Sequence, residues 1–116
     1  MSVQRLHTET RYSEIVIHNG TVYLAGQLAD DYAGDITRQT AETLASIERL
    51  LAEAGSDKSR LLAVTIHLAD LADYAGMNAV WDAWLPAGCA PARTCVEAKL
   101  YDPQARVEMT VVAAQR

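Results

Sequence analysis

The sequence predicts an α+β fold, one β-sheet with two helices packed on a single face, and three observations lead there. Short β-branched runs with a period of two recur toward both ends of the chain. Two longer segments carry apolar residues at helical spacing instead. The resulting order is hairpin, helix, strand, helix, strand, strand. No internal repeat, low-complexity tract or linker interrupts it, so residues 1–116 read as one domain.

The stretch "EIVIHNGTVYLAG" holds runs 14–17 and 21–24 around Asn19-Gly20, a pair that tolerates positive φ and suits a tight hairpin turn. "QLADDYAGD" reads as a polar loop ending on Asp35, the expected N-cap of a helix over "ITRQTAETLASIERLLAEAG". Ile36, Thr40, Leu44, Ile47, Leu51 and Ala54 fall on one side of that helix, and Gly55 stops it as a C-cap. "RLLAVTIHLAD" is apolar and partly β-branched, the pattern of a strand covered on both faces. In "LADYAGMNAVWDAWL", Tyr74, Met77, Trp81 and Trp84 line one side of a second helix, which Pro86 and Gly88 end. Strands over 93–100 and 106–114 close the chain, joined by a turn through Asp102-Pro103. Val107, Met109, Val111 and Ala113 alternate with Glu108, Thr110, Val112 and Ala114, so both faces of the last strand carry apolar groups. No element remains to cover the second sheet face, and an oligomer that buries it is expected.

Composition narrows the function. Lys plus Arg number 10 against 15 for Asp plus Glu, and the basic residues are scattered, which argues against nucleic acid as a partner. "MSVQRLHTET" lacks the apolar segment of a signal peptide, and no apolar run approaches the ~18 residues of a membrane span. A cytoplasmic location without membrane association is expected. Cys89 and Cys95 form no CxxC pair, so reduced thiols are expected rather than a disulfide framework or zinc knuckle. Glycine-rich phosphate loops, HExxH, GxSxG and DxD are all lacking, and neither cofactor nor metal is expected.

Candidate chemistry gathers near the C-terminus. In "PARTCVEAKL", alternation puts Thr94, Val96, Ala98 and Leu100 on one strand face and Arg93, Cys95, Glu97 and Lys99 on the other. The planar fork of Arg93 binds carboxylates in a bidentate way; a salt bridge to Glu97, Glu108 or a neighbouring subunit is the other reading. Glu108, flanked by Val107 and Met109, is either a base acting on water or a solvated edge charge. Cys95 shares a face with Arg93, which would favour the thiolate; as a buried small hydrophobe it needs no base, and sequence places none of His7, His18 and His67 beside it. Trp81 and Trp84 read as helix core rather than a ligand cage.

"NGTVYLAGQL", "QTAETLASIERLLAEAGS", "VTIHLADLADYAGMNAVWDAW", "PARTCVEAKL" and "VEMTVVAA" occur in the order and at nearly the spacing of one family. Over almost its whole length the chain resembles the RidA (YjgF) enamine/imine deaminases, and its "WDAW" helix is similar to that of the YoaB-like members. The resemblance implies a chorismate-mutase-like fold and a homotrimer with a cleft at each subunit interface. It also implies hydrolysis of reactive 2-imino and 2-enamino acids, such as 2-aminoacrylate or 2-iminobutanoate, to 2-oxo acids and ammonia. Carried over by position, Arg93 matches the arginine that clamps the substrate carboxylate and Glu108 the glutamate that positions the hydrolytic water. Tyr12 matches a cleft-lining tyrosine, and Cys95 a small cleft-lining cysteine. The chain departs from the family at Ala25, where many members carry a hydroxyl, in a shorter loop over 28–35, and at Ala90, where an aromatic precedes the proline. A non-catalytic trimeric module that binds small carboxylates or protects proteins is the alternative. A pericyclic enzyme of the chorismate-mutase type would need several cations for a dicarboxylate, and Arg93 alone is thin provision.

Overall fold

In the computed structural model, which describes residues 2–116, six strands pair into one mixed sheet: β1 (Gln4–Thr8), β2 (Ser13–His18), β3 (Thr21–Leu24), β4 (Leu61–Leu68), β5 (Ala92–Glu97) and β6 (Val107–Ala114). Their spatial order is β1-β2-β3-β6-β4-β5. β5 runs parallel to β4 and every other pairing is antiparallel. Helix α1 (Ile36–Glu53) connects β3 to β4, and α2 (Tyr74–Trp84) is the crossover that a parallel β4–β5 pair requires.

Local chemistry explains the boundaries. His18 faces Thr21 across a two-residue turn in which Asn19 and Gly20 take φ of 52° and 74°, the twist that matches the flanking strands. The Asp35 side chain accepts from the Arg38 amide at 2.9 Å and caps α1. At the other end the helix closes on Ala54, and Gly55 follows at φ 76°; the Ser56 amide then reaches Leu51 O at 2.8 Å and the Gly55 amide reaches Ala52 O at 3.2 Å. That is the paired closure of a Schellman turn, with glycine one position past the cap.

Leu44, Ile47 and Leu51 of α1 pack on the sheet face made by Ile15, Val22, Val64, Ile66, Val107, Met109 and Val111, all at most 1% exposed. Met77 and Trp81 bring α2 onto the same face, and Trp84 lies partly buried at its margin with its indole N–H on Glu48. Both helices share one face, so β4 is covered on that face alone. Leu61, Val64, Ile66 and Leu68 are buried whereas Leu62 is 48% exposed, so within one chain the strand is enclosed on one side only.

At the two ends of the sheet the structure departs further from the sequence pattern. The polar β1, "QRLHT", gives no hydrophobic signal and exists because its backbone pairs with β2 at the sheet edge while Leu6 packs against the core. β5 stops at Glu97 rather than Leu100, because β4, its only neighbour, ends at Leu68. The turn through Asp102-Pro103 is present, closed by the Ala105 amide on Asp102 O at 3.1 Å, and it lies in a segment that crosses the end of β4, which sits between β5 and β6.

Fully buried Gln39 pins that crossing. Its Nε2 lies within 3.1 Å of the carbonyls of Tyr32, Gly34 and Gln104, and its Oε1 accepts from the Arg106 amide at 2.8 Å. Gln39→Leu keeps the volume but strands these backbone groups, so a loss of about 3 kcal/mol is expected. Urea denaturation should show it as a lower midpoint at unchanged slope.

Candidate functional site

Sheet register decides which candidates can meet. On the helix-covered face the rows across the sheet run Val111–Val64–Arg93, Met109–Ile66–Cys95 and Val107–Leu68–Glu97. On the open face they run Val112–Ala63–Ala92, Thr110–Thr65–Thr94 and Glu108–His67–Val96. Arg93 and Cys95 therefore stand on one face at the β5 edge, and Glu108 stands on the other face, two strands away. Tyr12 lies further off, 54% exposed in the β1–β2 turn beside a hollow of about 270 Å³ that His7, Glu9, Arg49 and Glu53 also line. β1 and β5 are opposite sheet edges, about 24 Å apart at normal strand spacing. One chain brings Arg93 and Cys95 together and keeps both from Glu108 and Tyr12.

Arg93 is held from above by α2. Its Nη1 donates to Asn78 Oδ1 at 2.8 Å and its Nη2 to the Tyr74 hydroxyl at 3.2 Å. The guanidinium carbon lies 5.4 Å from the Trp81 ring centre and 5.8 Å from that of Tyr74. Residues 74, 78 and 81 follow i, i+4, i+7 spacing, so one helix stripe supplies every contact. None of these partners is charged, and among the described residues Arg93 has no ion pair, so the salt-bridge reading fails within the chain. Two of the five guanidinium N–H groups are engaged, which leaves three donors and a full positive charge for an outside anion.

Of the two readings of Cys95, the structure supports the small hydrophobe packed against the core. Partial burial against the core raises its thiol pKa, and the opposing pull of Arg93 does not overcome it. The thiolate is not favoured, and His67, on the other sheet face, offers it no base. Both cysteines are free thiols.

Glu108 depends on a residue that sequence reasoning did not single out. A Cβ on Gly26 would lie 2.5 Å from Glu108 Oε2, so the carboxylate occupies space that only glycine leaves open. The next residue, Gln27, exchanges two backbone hydrogen bonds with Met109, at 2.8 and 3.0 Å, which fixes Gly26 beside Glu108. No local pattern links the two positions. Directly across from Glu108 stands His67, whose Nδ1 is buried without a partner. Nearby, the Tyr32 and Tyr101 hydroxyls meet at 3.2 Å. That bond, burial, and the negative charges of Asp102 and Glu108 push the Tyr32 phenol up to about 12. The loop over 28–35 thus reaches the Glu108 side of the molecule.

Among the described residues no group of three or more His, Cys, Asp or Glu side chains could hold a metal ion. Among the same residues no helix is long and apolar enough to cross a membrane.

Against this geometry, the profile of a family described as Endoribonuclease L-PSP matches residues 2–115. RutC family protein YoaB of Escherichia coli strain K12 is 46% identical over 114 residues, which cover 98% of this chain and 99% of the relative. A RutC family protein of Haemophilus influenzae is 43% identical, covering 97% and 98%. Among solved structures, an uncharacterized Pseudomonas aeruginosa protein superposes with a TM-score of 0.96 at 50% identity, over 99% of this chain and all of its own. NMB1025 of Neisseria meningitidis, a member of the YjgF protein family, also gives 0.96, at 48% identity over 100% and 97%.

The opposed influences on Cys95 set a testable direction. In a Cys89→Ser background, replacing Arg93 by Ala removes the force that lowers the thiol pKa. The pH midpoint for Cys95 alkylation by iodoacetamide should move upward.

Proposed function

As the chain belongs to the Endoribonuclease L-PSP family, the YjgF/RidA proteins, we propose that it is an enamine/imine deaminase that hydrolyses small 2-imino acids to 2-oxo acids and ammonia. The observation that carries this reading is Arg93, fixed by neutral partners with three donors turned to no protein anion. A planar fork of this kind fits a carboxylate. The descriptive family name points to RNA cleavage, but a net charge of -5 with scattered bases gives a phosphodiester backbone no track to follow.

Arg93 holds the substrate carboxylate and fixes the C=N carbon. Glu108 accepts a proton from water as the water oxygen bonds to that carbon. With the substrate as its iminium, this gives the neutral carbinolamine; Glu108 returns the proton to nitrogen, the C–N bond breaks, and ammonia departs as the hydroxyl gives its proton back to the Glu108 carboxylate and becomes the 2-oxo group. Atoms balance with one water consumed, and positioning with charge stabilisation need contribute only a few kcal/mol.

Arg93 and Glu108 face opposite ways in one chain, so the reaction requires two copies: the β5 edge of one set against the open face of the next. A closed trimer makes three such clefts and covers the exposed Tyr23 and Val96. Tyr12, at the distant β1 end, reaches such a cleft only from a neighbouring copy. The second reading, a trimer that binds small carboxylates without turnover, is favoured by Ala25, which brings no hydroxyl beside Gly26 and Glu108.

Two experiments separate these readings. With 2-iminobutanoate generated by an amino-acid oxidase and trapped by semicarbazide, the wild type should lower the trapped imine in proportion to its dose. Arg93→Ala and Glu108→Gln should have no effect, and Arg93→Lys should lose at least about tenfold in kcat/KM. Tight 2-oxobutanoate binding without turnover would select the binding module instead. Co-refolding Arg93→Ala with Glu108→Gln at equal amounts should restore about a quarter of the wild-type rate, since each mixed trimer regains one intact cleft. Inactivity of the mixture, or a monomer by light scattering, would eliminate the shared cleft.

A further inference from the structure

The Tyr74 hydroxyl is spoken for on one side only. A guanidinium has no acceptor, so in the 3.2 Å contact Arg93 Nη2 must donate and the Tyr74 oxygen must accept. The phenolic proton therefore points elsewhere, and among the described residues Tyr74 Oη has no acceptor. Tyr74 is 44% exposed, whereas Trp81 is buried and Asn78 half-buried. Of the groups that hold Arg93, it is the most exposed.

Its placement is fixed. A Cβ on Gly76 would lie 2.8 Å from Ile36 Cγ2, so the first turn of α2 is seated directly against α1. The Tyr74 ring lies under the guanidinium at 5.8 Å and leaves its hydroxyl little freedom. Accepting a bond from a cation also polarises the O–H and makes it a better donor.

We infer that Tyr74 is a second donor of the carboxylate subsite: its O–H binds one substrate carboxylate oxygen while Arg93 binds through its open N–H groups. This assignment deepens the deaminase reading and rests on it for the identity of the ligand. It gives Tyr74 a role in affinity rather than in the bond-breaking step, because the hydroxyl meets the carboxylate equally in substrate and transition state.

Tyr74→Phe keeps the ring and its stacking and removes only the hydroxyl. Calorimetric 2-oxobutanoate binding should weaken by about 10- to 100-fold, and KM for 2-iminobutanoate should rise similarly with kcat within about twofold. Butanone, which has no carboxylate and so no oxygen at that position for the Tyr74 hydroxyl, should bind wild type and Tyr74→Phe alike. Equal binding of 2-oxobutanoate by both proteins, or an equal loss for butanone, would overturn the Tyr74 assignment while leaving turnover and the deaminase reading intact. Wild-type binding that weakens in Tyr74→Phe without any turnover would support the subsite and remove the deaminase. No binding and no turnover by the wild type would overturn both.

Discussion

β6 lies between β3 and β4, and its register against them is the constraint on which the rest of the molecule depends. Val107, Met109, Val111 and Ala113 fill the core at no more than 1% exposure, while Glu108, Thr110, Val112 and Ala114 point to the open face. A shift by one residue would drive Glu108 under the helices and lift four apolar side chains out. Long pairing with β4 and the two-way bridge between Gln27 and Met109 exclude that shift. The only carboxylate of the strand is thereby set on the open face, beside the one residue type that leaves room for it.

The same sheet separates the two halves of the proposed chemistry. A cation and a carboxylate within one cleft of one chain would pair, and Arg93 would lose its donors to Glu108. Here Arg93 belongs to the row of Val64 and Val111, and Glu108 to that of His67 and Val96. With the sheet between them, each keeps its capacity for a ligand. The α2 stripe of Tyr74, Asn78 and Trp81 then immobilises the guanidinium without neutralising it, which lowers the entropy lost on binding an anion.

The uncovered face follows from the same arrangement. Both long connections, β3 to β4 and β4 to β5, carry their helices on one side, so the row Val16–Tyr23–Val112–Ala63–Ala92 meets solvent. An apolar row across five strands is unusual on a free surface and fits contact with another copy. Glu108 and His67 stand two rows away on that face, so the proposed assembly and the proposed chemistry share one surface.

Much of this was legible in the chain. Asn19-Gly20 dictates its turn, Asp35 and Gly55 bracket α1, and the alternation from Val107 to Ala113 announces a strand with a buried side, because each signal is local: a dihedral preference, a cap, a period. Arg93 and Glu108 could be nominated from residue type and family resemblance. Tertiary structure alone decided the remainder. β1 has no apolar pattern and exists through backbone pairing, β5 is cut short by the end of β4, and β4 is bare on one side because both helices chose the other. The hold of Tyr74 on Arg93, the fit of Glu108 over Gly26 and the placement of the two charges on opposite faces all arise from residues distant in sequence. Such contacts are fixed by strand order and register, which no local preference encodes.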